Sequence, residues 1–170
     1  MEFSSRRLDF RLLNESDRAM FIALYQDPKV MRKIGPALSA EKAEVLFESA
    51  IRNNQKAYFK QYIWRVTNKH SKSDCGLIML KFLNHDECEI GIMLIQSQNG
   101  KGYSSEALSR VCQFAFKDLN QTEVIARFAK SHLVIKKLLT SLGFRFEEVV
   151  QNSYYDVIVA RVDELKLEVI

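Results

Sequence analysis

The stretch of sequence that decides the fold is Asn99-Gly100-Lys101-Gly102-Tyr103-Ser104-Ser105-Glu106-Ala107. It follows an apolar segment typical of a buried strand and precedes a helix whose apolar side chains share one face. The first N–H groups of a helix lack intrahelical partners and carry a partial positive charge. Because the glycines let the backbone wrap around an anion, and Lys101, Ser104 and Ser105 add side-chain donors, the stretch predicts a phosphate-binding loop.

Two other phosphate motifs describe this loop poorly. A Walker loop needs a longer glycine spacing that ends in Gly-Lys-Ser or Gly-Lys-Thr. The dinucleotide fingerprint needs three spaced glycines within a parallel unit. A plain strand-to-helix turn, capped by a serine, is the simpler alternative. The position of the loop, after three consecutive strands and before a helix, a strand and a helix, favours phosphate binding.

Outward from the loop, the hydrophobic pattern predicts a sheet with helices on both faces. Upstream, residues 62–68, 75–83 and 88–95 form apolar segments joined by short polar turns, which is typical of an antiparallel meander. The other predicted elements are a strand at 8–13, helices after Asn14 and Ser39, a strand at 123–129, a helix from Ser131 to Gly143, and strands at 144–150 and 154–162. Asn14, Ser39 and Ser131 are the predicted caps of these helices, Asp27-Pro28 is expected to end the first of them, and Gly143 to end the last. We expect an α/β fold (an α+β mixed sheet) of six to seven strands and about four helices, in one domain spanning residues 1–170.

The composition indicates an ordinary globular protein rather than a membrane or secreted one. No apolar run reaches the roughly eighteen residues that a membrane span requires, and the N-terminus lacks the apolar core of a signal peptide. Cys75, Cys88 and Cys112 are odd in number and widely spaced, which predicts reduced core residues rather than disulfides or metal ligands. We therefore expect a cytoplasmic protein.

The mild net charge of +4 suits an anionic ligand such as a coenzyme phosphate without requiring nucleic acid. Basic and aromatic residues alternate between Arg52 and Arg65, an arrangement that can also stack nucleobases. A helix end that runs into a half-buried strand explains the same residues, and no nucleic-acid motif accompanies them. We expect neither a nucleic-acid partner nor a membrane partner.

Several short motifs, taken in chain order, resemble one known family. They are the segment 8–13 with Ser16-Asp17, then Asp27-Pro28-Lys29-Val30-Met31-Arg32, Glu89-Ile90-Gly91, the loop at 100–108 and Leu142-Gly143-Phe144. The chain resembles the GNAT superfamily of N-acetyltransferases, and within it the RimJ/RimL type. Because the motifs span nearly the whole chain, their combination is more specific than any one of them.

The resemblance implies that acetyl-CoA is the co-substrate, that no metal takes part, and that the acceptor is a primary amine. That amine would be a protein N-terminal α-amino group or belong to a small molecule. The loop would bind the pyrophosphate, and the pantetheine arm would lie along the end of the preceding strand. The coenzyme-binding residues implied in this way are Met93, Leu94, Ile95, Gln98, Asn99, Gly100, Lys101, Gly102, Tyr103, Ser104, Ser105 and His132.

Some positions depart from the family pattern. Asn99 stands where relatives usually place Arg or Gln, and His132 and Ile135 stand where they prefer Asn and Ser. Leu139 replaces the tyrosine that many relatives use as general acid. These departures affect protonation of the leaving thiolate more than coenzyme binding. They leave open a second hypothesis, an acyl-CoA-binding sensor or partner module with little or no catalysis.

Glu89 is the candidate general base. It lies in an otherwise apolar run, and an amine that is protonated at neutral pH must lose a proton before it attacks. A structural ion pair with Lys81 or Arg127 on a neighbouring strand is the alternative.

Tyr103, Ser104 and His132 are the candidates for donating a proton to the leaving thiolate. His132 is equally explained as a residue that only begins a helix, because a helix N-terminus disfavours the protonated imidazole. The sequence is compatible with a monomer or a homodimer.

Overall fold

The computed structural model describes residues 1–55, 61–151 and 156–167. Its strands are β1 (Glu2–Ser4), β2 (Leu8–Leu12), β3 (Gln61–Asn68), β4 (Asp74–Phe82), β5 (Glu87–Leu94), β6 (Glu123–Ala129), β7 (Arg145–Gln151) and β8 (Asp156–Asp163). Its α-helices are α1 (Arg18–Gln26), α2 (Pro28–Met31), α3 (Ala40–Asn54), α4 (Tyr103–Leu119) and α5 (Leu133–Ser141).

The strands form one mixed sheet in the order β1-β2-β3-β4-β5-β6-β8-β7. Neighbouring strands are antiparallel except β5 and β6, which run parallel. The predicted α/β fold with a mixed sheet is therefore confirmed. Over the described residues the sheet has eight strands rather than six to seven, because β1 was not predicted, and α2 is likewise additional. The start of the predicted strand at 154–162 lies outside the described residues.

The two additional elements have simple physical reasons. The Asp27-Pro28 pair, which predicts a helix end, also begins the next helix. The Asp27 carboxylate accepts a hydrogen bond from the Lys29 N–H at 2.8 Å, and Pro28 occupies a first-turn position, where an N–H has no intrahelical partner. β1 is too short for hydrophobic alternation to reveal, but Phe3 within it stacks between Phe10 and Phe114, at centroid distances of 4.8 and 4.5 Å.

Most capping residues act as the sequence predicts. Ser39 Oγ accepts a hydrogen bond from the third N–H of α3 at 3.3 Å, and Gly143 follows α5 with a φ of 84°. Ser131 is the exception, since it does not cap α5. Its hydroxyl accepts a hydrogen bond from Lys33 Nζ at 2.9 Å, and His132 occupies the N-cap position.

Adjacent residues of β3 show that the sheet separates two cores. Trp64 packs in the larger core, to which α4 and α5 contribute, whereas Ile63 packs in the smaller core with α1 and α3. Because successive side chains of a strand point to opposite faces, helices cover both faces of the sheet, as predicted. None of the helices in the described ranges is long and apolar enough to cross a membrane.

Candidate active site

A cleft opens where two neighbouring strands separate. β5 and β6 pair only from Glu87 opposite Glu123 to Glu89 opposite Ile125. Beyond that pair, residues 89–94 and 126–128 line a cavity of about 930 Å³. The facing strand edges no longer satisfy each other's backbone groups, so they offer donors and acceptors to an extended ligand that carries amides.

Glu89 lies at the point where the strands part. Its side chain is only 15% exposed, and its Oε2 accepts a hydrogen bond from Arg127 of β6 in an ion pair. Lys81 stands opposite Glu89 in the β4–β5 register, but the ion pair is formed by Arg127. The carboxylate therefore has both a structural partner and a position on the cleft wall. A carboxylate held there can accept a proton from a group that enters the cleft.

The loop between β5 and α4 presents uncapped helix donors. Gly100 and Gly102 both have a φ of 76°, in the left-handed region that glycine adopts without strain. Gly102 is the N-cap residue of α4, and no side chain caps this helix. The first N–H groups of α4 therefore lack a capping acceptor, and they fit an anion such as a diphosphate.

The cleft brings together only some of the predicted coenzyme-binding residues. Those that line it are Met93, Leu94, Asn99, Gly100, Ser104 and His132. Those outside its described lining are Ile95, Gln98, Lys101, Gly102, Tyr103 and Ser105. On the loop surface, the Lys101 ammonium donates a hydrogen bond to the Gln98 amide oxygen at 2.9 Å. A smaller cavity of about 290 Å³ adjoins Asn99.

Tyr103 makes its contacts outside the cleft. Its hydroxyl accepts a hydrogen bond from Asn68 Nδ2 at 2.8 Å, and its ring lies beneath the Arg7 guanidinium, 4.8 Å from the ring centroid. These contacts hold the first residue of α4 against the end of β3. The proton-donor role of Tyr103 therefore stays a prediction, and of the three predicted donors Ser104 and His132 line the described cleft.

Arg7 supports the loop, although the sequence alone does not indicate this role for Arg7. Its Nη1 donates a hydrogen bond to the Lys101 carbonyl at 2.9 Å, and its Nε donates to Glu106 Oε2 at 2.6 Å. Ninety-four positions separate Arg7 from Lys101. No spacing or periodicity in the sequence signals a contact over that distance.

His132 begins α5 and lines the cleft. Burial lowers the pKa of its imidazole below the ordinary value of 6.5, and the positive charges of Lys33 and Arg32 lower this pKa further. The neutral form of His132 is therefore favoured. A neutral imidazole can donate one hydrogen bond, but it is a weaker acid than the imidazolium ion.

The cysteines provide no nucleophile for a covalent intermediate. Cys75, Cys88 and Cys112 are buried and form no disulfide, as predicted. Burial raises the pKa of Cys88 to about 12 and raises the pKa values of the other two thiols. Since the thiolate is the reactive form, none of them suits acyl transfer. The part of the chain that the structure describes also holds no group of three His, Cys, Asp or Glu side chains suited to a metal ion.

Comparison with known proteins gives a family match over most of the chain. Residues 7–145 match the acetyltransferase (GNAT) domain. An uncharacterized N-acetyltransferase of Bacillus subtilis, YoaA, is 24% identical over 153 residues, which cover 88% of this chain and 85% of the relative.

Solved structures share the fold at low sequence identity. Spermidine N-acetyltransferase from Vibrio cholerae, in complex with CoA and spermine, has a TM-score of 0.80 and 22% identity, and the match covers 94% of this chain and 97% of the other. RimL, a ribosomal-protein α-N-acetyltransferase in complex with coenzyme A, has a TM-score of 0.82 and 15% identity, with 96% and 98% covered. At these identities, the likeness shows the fold.

Proposed function

Because the chain belongs to the acetyltransferase (GNAT) domain family, and is thus an acetyl-CoA-dependent N-acetyltransferase, we propose that it acetylates the α-amino group of a protein or peptide. One observation carries the proposal: the cleft begins at an ion-paired carboxylate and leads along β5 to an uncapped helix N-terminus. The family assignment favours catalysis over the alternative of a coenzyme-binding module without activity.

Two segments of the chain hold the coenzyme in this proposal. Acetyl-CoA supplies the activated acetyl group, as a thioester, when it is bound. Backbone N–H groups of residues 100–104 hold its diphosphate, with the Ser104 hydroxyl and the Lys101 ammonium nearby. The strand edge at Met93 and Leu94 offers backbone groups to the amides of the pantetheine arm. Gln98, Ser105 and Ile95 flank these two segments.

Glu89 accepts the proton that the amine must lose, either directly or through a water molecule. Arg127 keeps the carboxylate in place at the cleft wall. Because no cysteine is available as a nucleophile, the neutral amine attacks the thioester carbonyl directly. The thiol of the departing coenzyme has a pKa of about 8.5 by analogy with cysteine, so hydrogen bonds from Ser104 or neutral His132 suffice and a strong acid is unnecessary.

Two considerations support an α-amino acceptor. RimL, one of the structural neighbours, acts on the α-amino group of a ribosomal protein, although the Vibrio cholerae neighbour acts on spermidine. An α-amino group has a pKa of about 8, compared with about 10.4 for a lysine amine. At pH 7 a far larger fraction of α-amino groups than of lysine amines is neutral. A single carboxylate base is then sufficient to remove the proton.

Mass spectrometry of peptide products tests the proposal. The protein is incubated with acetyl-CoA and peptides that contain one internal lysine, with the N-terminus either free or blocked. We expect one acetyl group on the free α-amino group and none on the blocked peptide. Acetylation confined to the lysine, or no acetylated peptide under conditions that acetylate a small amine, contradicts the α-amino assignment.

A further inference from the structure

One wall of the cleft carries basic side chains from α2 and the turn that follows it. Lys29, Arg32 and Lys33 all line the main cavity. Lys29 and Arg32, which are exposed, also line the smaller cavity beside Asn99. Lys33 is held by its hydrogen bond to Ser131, just before α5. The basic wall thus extends from the coenzyme loop to the start of α5.

Little opposing charge faces this wall. Among the described lining residues, Glu89 is the only carboxylate, and Arg127 already pairs with it. Within the described ranges, no carboxylate forms an ion pair with Lys29 or Arg32. The charge of these two side chains is therefore available to a ligand in the cleft.

The positive charge also acts at the base of α5. After burial, the charges of Lys33 and Arg32 are what lowers the pKa of His132, which lines the cavity. A potential of this sign disfavours any additional ammonium group and attracts a carboxylate or phosphate. It also favours the neutral form of an amine that enters the cleft, which is the form that reacts.

We propose that Lys29 and Arg32 form a cationic subsite that selects amine acceptors with negative charge close to the reacting amine, such as peptides with acidic residues directly after the N-terminus. The inference rests on the proposed function and narrows its substrate class. A polyamine is the acceptor that this subsite disfavours most, because its remaining ammonium groups meet like charge.

A coenzyme phosphate is a second source of the same anionic chemistry. Asn99 of the loop shares the smaller cavity with Lys29 and Arg32, so a phosphate that extends past the loop would reach them too. In that case, loss of the cations weakens acetyl-CoA binding and leaves acceptor preference unchanged. Steady-state kinetics in which acceptor and coenzyme are varied separately distinguishes the two sources.

The test compares three peptides that differ only at their second and third residues, which are both Glu, both Gln or both Lys. Spermidine and free glutamate are the small-molecule acceptors. For the wild type, we expect kcat/KM to fall from the acidic to the basic peptide by about tenfold or more, with spermidine lowest. The double variant Lys29→Glu, Arg32→Glu is expected to reverse this order and to leave the KM for acetyl-CoA within about twofold. The single neutral variants Lys29→Gln and Arg32→Gln are expected to weaken the preference in part.

The double variant Lys42→Glu, Arg52→Glu is the matched control. Both residues are exposed on α3 outside the described cleft lining, and the change in charge is the same. We expect this control to keep the wild-type order of acceptors.

Two results overturn the inference. One is an acceptor order that the Lys29 and Arg32 variants leave unchanged; a raised KM for acetyl-CoA would then assign the cations to the coenzyme. The other is a wild type that prefers spermidine to every anionic acceptor. A separate result distinguishes the two proposals. If no peptide is acetylated, but glutamate is acetylated faster than spermidine and the Lys29 and Arg32 variants reverse that preference, the data contradict the peptide function and support the cationic subsite.

Discussion

Arg7 binds Glu106 through both its side chain and its backbone. Its Nε donates to Glu106 Oε2, and its backbone N–H donates to Oε1, each at 2.6 Å. Ser5 Oγ also donates to Oε1 at 2.7 Å, and the Glu106 side chain is only 10% exposed. Because Arg7 Nη1 also donates to the Lys101 carbonyl, the segment before β2 anchors the loop that we propose to bind the coenzyme diphosphate.

Replacement of Arg7 by alanine tests this support. Arg7→Ala is expected to raise the KM for acetyl-CoA by about tenfold with little change in kcat, because the loop loses an anchor and Glu106 loses its counter-charge at the helix start that we propose to bind the diphosphate. The free energy of unfolding is expected to fall by about 1–2 kcal/mol, since Arg7 is itself partly exposed. Coenzyme-dependent initial rates and urea denaturation measure the two effects.

Arg6→Ala is the control for this variant, because Arg6 is exposed and adjacent in sequence. It is expected to leave both quantities near wild-type values. An Arg7→Ala protein with wild-type KM for acetyl-CoA would show that the contact with Lys101 does not position the loop.

Glu106 also makes stability depend on pH. Burial opposes its ionisation, but hydrogen bonds from Ser5 and Arg7 outweigh burial and hold the pKa of this carboxyl below the ordinary value of 4.5. Since the folded pKa lies below the unfolded one, the ionised group stabilises the fold above pH 4.5, and this contribution is lost as the pH falls through the folded value.

Urea denaturation across the acid range measures this contribution. Below about pH 5, the wild-type free energy of unfolding is expected to fall more steeply than that of Glu106→Gln, which lacks the titrating group. Parallel pH profiles for the two proteins would rule out Glu106 as a source of acid sensitivity.

Two variants distinguish the proposed base function of Glu89 from the structural function of its ion pair with Arg127. Glu89→Gln is expected to lower kcat about a hundredfold near neutral pH and to recover partly at high pH, where the amine deprotonates without help. Arg127→Gln removes the partner but keeps the carboxylate, so a loss of less than about tenfold is expected. pH–rate profiles of both variants give the comparison. Equal, pH-independent losses would leave Glu89 with a structural role only.

Position 76 on β4 requires glycine because the backbone of β5 lies very close to it. A Cβ at this position would lie 2.0 Å from the Met93 carbonyl oxygen, and the φ of Gly76 is 149°. Gly76→Ala is therefore expected to cost more than about 3 kcal/mol of folding stability, because backbone rather than a flexible side chain must move. Gly91→Ala is the matched control, since the three atoms nearest to its Cβ all belong to the Met79 side chain, the closest at 3.1 Å. Thermal denaturation that ranks both variants equally would contradict this explanation.

The parts of the fold that the sequence predicted depend on local chemistry. The loop before α4 was recognisable because its glycines separate a strand pattern from a helix pattern, and Ser39 and Gly143 fit known capping preferences. Glu89 was identifiable because a carboxylate in an apolar run needs a partner or a function.

The parts that could not be predicted depend on contacts between distant segments. Nothing near Tyr103 in the sequence indicates that its hydroxyl binds Asn68 rather than entering the cleft. Likewise, β8 rather than β7 pairs with β6, which only the packing of the complete sheet determines. The basic wall could not be predicted because Lys29 and Arg32 line the cleft only in the folded chain.

Calorimetric titration of the wild type and of a loop variant with acetyl-CoA and with acetyl-pantetheine, which lacks the diphosphate and the adenosine beyond it, tests most directly whether the loop binds the diphosphate. We expect the wild type to prefer acetyl-CoA by about a hundredfold or more. Gly102→Val should lose most of this preference, because a β-branched residue is strained at a φ of 76° and its Cβ would lie 3.3 Å from Arg7 Nη2. A Gly102→Val protein that is folded and keeps the wild-type preference would contradict diphosphate binding at this loop.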